Sequence, residues 1–118
     1  EIDNLINYFH QNQCDYAYNQ KPIGNNYPDG LGAEICKTNL VEEIFEKSTD
    51  PNHREHLFNY IWGNKHKYNI RTFNPVKDIA FPSLRLDLDT IDDYQKLLNK
   101  PYKIEMSAKE IIELARGA

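Results

Sequence analysis

The 118-residue chain has no stretch approaching the roughly 20 consecutive apolar residues that a spanning helix needs. Its opening, Glu1 to Tyr8, lacks the basic and apolar regions of a signal peptide. The chain therefore reads as cytoplasmic, with no membrane partner. Cysteine is scarce, and Cys14 and Cys36 have no CxxC spacing, so reduced thiols are expected rather than a disulfide framework. Its five glycines form neither G-x-G-x-x-G nor G-x-x-x-x-G-K-[ST], which removes the common phosphate-binding loops. Positive charge is also short: 14 Lys and Arg face 18 Asp and Glu, a formal charge of −4. That balance offers no broad attraction for a phosphate backbone, and nucleic acid is not an expected partner. Methionine is missing from the first position, where Glu1 stands, so a piece of a longer protein is expected.

What is present suffices for one compact domain with a modest core, 40% of the residues being hydrophobic. Two periodicities meet between Pro82 and Tyr94. Leu84, Leu86 and Leu88 alternate with Ser83, Arg85 and Asp87, the period of a strand with one apolar and one polar face. Thr90 can then cap a helix by accepting the N–H of Asp93, with Ile91, Tyr94, Leu97 and Leu98 on one stripe. Asp89 would sit at the carboxyl end of that strand, the edge where open α/β sheets collect ligands. Asp87 and Asp89, two apart, can share a face and hold Mg²⁺, which prefers carboxylate oxygen. The competing account is a strand end with ordinary surface acids.

Elsewhere, residues 1–12 carry Ile2, Leu5, Ile6 and Phe9 at helical spacing, and Cys14 to Tyr18 reads as a short aromatic strand. A long Asn-, Pro- and Gly-rich loop follows, then a strand from Leu31 to Lys37. Asn39 with Glu42 suggests a capping box for a helix ending near Ser48. Asp50 and Pro51 open another, with Leu57, Tyr60 and Ile61 inward and Gly63 as its stop. Tyr68 to Phe73 alternates as a strand, and Ser107 with Glu110 caps a final short helix. Interleaved strands and helices indicate an α/β fold with a largely parallel sheet. An unpaired sheet edge in a partial sheet would favour association, so a homodimer is expected. His53 and His56 are three apart, but without a third ligand at metal spacing they read as solvated first-turn histidines rather than a zinc site. Arg54, at a helix start, could hold a carboxylate or phosphate in its fork while Glu55 orients it, or the two could form a surface ion pair.

Three segments together carry a resemblance: Y27-P28-D29-G30-L31 followed by Glu34, R54-E55-H56 with Tyr60-Ile61, and L84-R85-L86-D87-L88-D89-T90 with Asp93. In order and spacing, residues 1 to about 98 resemble the second half of the cytidylyltransferase-type nucleotidyltransferases of the spore coat polysaccharide biosynthesis protein F family, relatives of the synthetases of CMP-activated acidic sugars. The resemblance implies the C-terminal half of a nucleotide-diphospho-sugar transferase-like, Rossmann-type α/β domain with a mostly parallel mixed sheet. Residues 1–118 would then be a single partial domain, with 101–118 a tail helix outside the resemblance. It implies transfer of a nucleotidyl group from a nucleoside triphosphate, CTP by analogy, to a sugar with release of pyrophosphate, in surface polysaccharide biosynthesis. The triphosphate loop and the first metal aspartate would lie upstream of Glu1, so this stretch alone is expected to be inactive. The D-T-x-x-D motif maps onto Asp89, Thr90 and Asp93. By the same implication Asp89 and Arg54 are catalytic, Asp89 and Asp87 hold Mg²⁺, and Asp29, Glu34, Glu55, His56 and Arg85 bind substrate. The family's G-L-D-V-E reads G-L-G-A-E here, with Gly32 in place of an aspartate, which implies an altered site or lost activity. A non-catalytic docking module, or a degenerate relative that binds sugar or nucleotide without turnover, are the other two readings of the same residues.

Overall fold

The computed structural model describes residues 1–117. Helix α1 (Ile2–Asn12) buries Leu5 and ends where Gln13 turns left-handed at φ 47°. It leads into strand β1 (Tyr16–Tyr18), all three residues of which are buried. Strand β2 (Glu34–Cys36) pairs antiparallel with β1, and β3 (Ile70–Thr72) pairs with it in parallel, giving the order β2-β1-β3. The sheet is thus mixed, with one pair of each sense, rather than mostly parallel. The long loop 19–33 folds the chain straight back alongside β1. Helices α2 (Thr38–Lys47), α3 (Asn52–Glu55) and α4 (Asn59–Gly63) supply the crossover that returns β3 in the sense of β1. Helices α5 (Ile91–Leu98) and α6 (Ala108–Ala115) complete a mixed α/β fold of three strands and six α-helices among the described residues.

Several local expectations change for identifiable reasons. The stretch Leu84–Leu88 is extended but joins no sheet. It makes one parallel bridge, Arg85 to Asp29, in which the Asp29 N–H donates to Leu84 O at 2.9 Å and Leu86 N–H to Asp29 O at 2.7 Å. The ladder stops there because Gly30 turns the partner chain away at φ +92°. The proposed capping residue Asn39 lies inside α2, since Lys37 is tied to Asp15 through both its backbone N–H and its ammonium, and the chain enters the helix one turn position earlier. The single helix expected from Pro51 to Gly63 is two, interrupted at His56–Phe58 so that Leu57 and Phe58 can pack against the β1 aromatics. Asp50 still starts the first of them, accepting the Asn52 N–H at 2.9 Å.

Both predicted boxes at the C-terminal end form: Thr90 with Asp93, and Ser107 with Glu110. Helix α6 is part of the packed body, with Ile112 1% exposed against Tyr27 and Ile79. Ser107→Ala should therefore cost about 1 kcal/mol in a urea melt, by loss of the acceptor for the Glu110 N–H. The apolar stripe of α5 behaves differently. Ile91, Tyr94 and Leu98 are exposed, Ile91 and Leu98 at 68% and 63%, and only Leu97 is half-buried, so the helix forms but most of the burial its stripe implied is not there. No described helix is long and apolar enough to cross a membrane.

Candidate active site

The bridge at Asp29 and the cap at Thr90 fix the two ends of a charged cluster. Arg85 extends its guanidinium over the polar side of the extended stretch and grips Asp87 with two bonds, Nε to Oδ1 at 3.1 Å and Nη2 to Oδ2 at 2.9 Å. The same Nη2 lies 3.7 Å from Asp93 Oδ2 and 3.9 Å from Asp89 Oδ2. Asp93 is the fixed member: its Oδ2 accepts the N–H groups of Asp89 and Thr90 at 3.1 and 3.0 Å. Those backbone bonds hold the Asp93 carboxyl below the usual carboxylate range. The Arg85 fork does the same for Asp87. Asp89 is pushed the other way, chiefly by the Asp87 carboxyl against it, and its side chain is 73% exposed. Two adjacent carboxylates, one neutralised by arginine and the other carrying the repulsion and open to solvent, form an arrangement that a bound cation would relieve.

Whether Mg²⁺ suits these groups turns on donor number. Among the described residues no set of three or more His, Cys, Asp or Glu side chains is arranged around a common point. Asp87 and Asp89 alone are a two-carboxylate set of the kind Mg²⁺ takes when phosphates and water complete its shell. The residues present fit that role, with Arg85 holding Asp87 in place.

Beside this cluster a cavity of about 480 Å³ opens between residues 83–87 and the C-terminal half of α5, walled by Lys96, Lys100 and Tyr102. These three were not singled out from the sequence. Asp93 and Lys96 are three apart on α5 and share the face turned to the cavity, a spacing that could have revealed Lys96, while Lys100 lies just past the helix end.

Glu34, Glu55 and His56 line a second hollow of about 390 Å³ with Gln20, Lys21 and Asn59. Glu34 is held there by the buried Tyr16, whose hydroxyl donates to Glu34 Oε1 at 2.6 Å, while burial and that carboxylate drive the phenol pKa far up. Tyr16→Phe should cost about 1.5–3 kcal/mol in a denaturant titration, the usual loss for a hydrogen bond to a charged group. The Gln20 Oε1 is buried without a partner among the described residues, a free acceptor at this hollow. The two hollows are joined by one loop, since Gly30 N–H donates to Gln20 O at 2.8 Å and Gly30 also packs on the Asp87 backbone. Asp29 lies on that loop, near enough to Arg85 for its charge to raise the guanidinium pKa.

Arg54 lies elsewhere. Its guanidinium carbon sits 4.8 Å above the Phe45 ring, and it lines a small apolar hollow of about 130 Å³ with Val41, Ile44 and Leu57. Glu55 is close to His56, at 3.8 Å, rather than paired with Arg54. The arginine and glutamate of R-E-H thus face different hollows, because successive positions on a helix do not share a face.

No family model matches the chain. A solved cytidylyltransferase from Leptospira borgpetersenii is similar over 97% of the chain, with a TM-score of 0.76 and 25% identity. That coverage extends past Lys100, so the likeness reaches the tail that the sequence resemblance did not. An uncharacterized protein of Methanocaldococcus jannaschii is 26% identical over 97 residues, 82% of this chain. The chain spans 48% of the cytidylyltransferase and 38% of the archaeal protein.

Acid should weaken the fold by a route visible in these contacts. Asp15, Asp93 and Glu110 all have carboxyls held below their ordinary values, by backbone N–H groups first, with Lys37 adding to Asp15. A lowered folded-state pKa contributes stability that is present above the unfolded value and lost as pH falls through the folded one. Thermal melts from pH 6 down to pH 2 should therefore show the melting temperature falling below about pH 4, and Asp15→Asn should flatten part of that slope.

Proposed function

We propose that this chain is the C-terminal part of a nucleotidyltransferase that moves a nucleotidyl group from a nucleoside triphosphate, CTP by analogy with the solved neighbour, to a sugar with release of pyrophosphate. The observation that carries the reading is the likeness to a cytidylyltransferase over nearly the whole chain, beside which stands a cavity lined by Arg85, Asp87 and Asp93. Asp89 and Asp87 would hold Mg²⁺, which offsets charge building on the phosphoryl oxygens and on the departing pyrophosphate. Arg85 keeps Asp87 ionised and oriented, and Asp93 pins the backbone at Asp89 and Thr90 so that the Asp89 carboxyl projects into solvent.

The hollow of Glu34, Glu55, His56 and Gln20 supplies acceptors and a titratable ring at spacings suited to sugar hydroxyls, and Lys21 suits an acidic sugar. Arg54, stacked on Phe45, would act from a different hollow than Asp89. A role in surface polysaccharide synthesis, a cytoplasmic location and a homodimer belong to the same reading. The exposed stripe of α5 is a second reason to look for a partner surface, and it is what favours the alternative of a docking module.

The test is pyrophosphate release by the longer chain containing these residues, with CTP, Mg²⁺ and a panel of neutral and acidic sugars. Turnover with one sugar class supports the proposal. Sugar binding by calorimetry without pyrophosphate release would replace it with the degenerate, binding-only reading.

A further inference from the structure

From His56 to Lys77 the chain contains no acidic residue, although it carries Lys65, Lys67, Arg71 and Lys77 together with His56 and His66. In a chain with an excess of acids this is a local reversal of charge, and the fold gathers its centre. Lys65, His66 and Lys67 form a 3₁₀ turn directly after α4, Tyr68 and Asn69 lead into β3, and β3 is an outer strand of the sheet. Trp62, Lys65, His66, Tyr68, Asn69, Ile70 and Arg71 line an open hollow of about 580 Å³ there.

Lys65, Lys67 and Arg71, like most Lys and Arg of the chain, have no carboxylate within 4 Å among the described residues. What distinguishes the hollow from an ordinary solvated basic face is that its lining is fixed. Arg71 is held in place, its Nε donating to Asn69 Oδ1 at 2.9 Å. The aromatic wall is equally fixed. Trp62 is half-buried with edge contacts to Tyr16 and Tyr18 at 5.8 and 5.1 Å, and the Tyr68 hydroxyl donates to Glu43 at 3.3 Å.

We propose that this hollow binds a phosphorylated ligand bearing an aromatic base, a nucleoside phosphate, at a place separate from the acidic cluster. The cations at Lys65 and Arg71 would take the phosphate, with His66 adding to them when protonated, and the rings of Trp62 and Tyr68 would take the base. Pairing with phosphate suits arginine in particular, and ring stacking is tolerant of which base is present. A free nucleotide and the end of a nucleic acid share this chemistry. The overall acidity of the chain favours the free nucleotide, because a longer polyanion would meet carboxylates beyond the patch.

Trp62 is the only tryptophan in the sequence, so its fluorescence reports on the hollow directly. The experiment is a titration of the protein in low salt and EDTA, which silences any metal site, with CMP, AMP, inorganic pyrophosphate, cytidine and a ten-nucleotide single strand. Saturable changes are expected with both nucleotides, weaker ones with pyrophosphate or cytidine alone, and affinity should fall with added salt. Lys65→Ser with Arg71→Ser should weaken CMP by at least about tenfold, since two charge-assisted contacts are lost. Both residues are exposed, and circular dichroism would check that the double variant keeps the wild-type spectrum. Asp89→Asn should leave the titration unchanged, which separates this site from the proposed active site. Absence of a saturable change in the unmodified protein, an unaltered affinity in the folded double variant, or pyrophosphate binding as tightly as CMP would each overturn the proposal. So would a strand binding far more tightly than CMP, because the ligand would then be nucleic acid.

Discussion

Gly32→Asp is expected to destabilise the fold by roughly 3 kcal/mol or more, the upper end of the cost of overpacking a filled site, and to bring no gain in turnover. A Cβ at Gly32 would lie 2.1 Å from Asn19 Oδ1 and 2.3 Å from the Asn19 carbonyl oxygen, contacts no side-chain atom can make without moving the backbone. Asn19 cannot step aside, being fully buried, with its Oδ1 accepting the Ala33 N–H at 2.8 Å and its own N–H donating to Ala33 O at 3.1 Å. The missing aspartate in G-L-G-A-E is thus matched by a local closure of the loop onto β1, and its carboxylate could not be returned by one substitution. Gly32→Ala separates space from charge, since it should cause most of the same loss. Chemical denaturation of both variants would decide the matter. A stable Gly32→Asp protein that gains turnover in the longer chain would mean that the loop opens to admit the side chain.

The sequence made local order readable where the signal was carried by side chain to backbone bonds. Thr90–Asp93 and Ser107–Glu110 form as their spacing predicted because a capping box is satisfied within four residues, whereas Asn39–Glu42, at the same spacing, is overridden where the tie of Lys37 to Asp15 starts the helix earlier. Leu84, Leu86 and Leu88 misled for the opposite reason. Alternation reports which faces differ, but strand pairing requires a neighbour, and Asp29 supplies only one bridge before Gly30 turns away. The candidate site shows the same division. Asp87 and Asp89 are close in sequence and were singled out by pattern, and Arg85, Glu34, Glu55 and His56 by resemblance. Gln20 and Tyr102 reach their hollows through tertiary packing, and no spacing rule points to them.

Asp89→Asn in the longer chain is expected to abolish metal-dependent turnover, with a loss of about 3 kcal/mol or more in transition-state stabilisation, while leaving the melting temperature near that of the parent. The separation follows from where the side chain is. Asp89 is largely exposed, and the backbone N–H at this position is held by Asp93, so amide for carboxylate removes a ligand without removing a structural bond. Asp87→Asn should act differently. It is mostly buried and carries the Arg85 fork, so its loss should cost stability as well as activity and free Arg85 to move toward Asp89 and Asp93. Removing the Asp87 charge also removes the main cause of the raised Asp89 pKa, which should return toward the ordinary carboxylate range. Rates measured against Mg²⁺ concentration distinguish the two roles. A loss of rate in Asp89→Asn that high Mg²⁺ does not rescue, beside a partly rescued Asp87→Asn, is the pattern expected of a principal and an auxiliary ligand. Wild-type turnover in Asp89→Asn would reduce that residue to a capped turn acid and move the metal elsewhere.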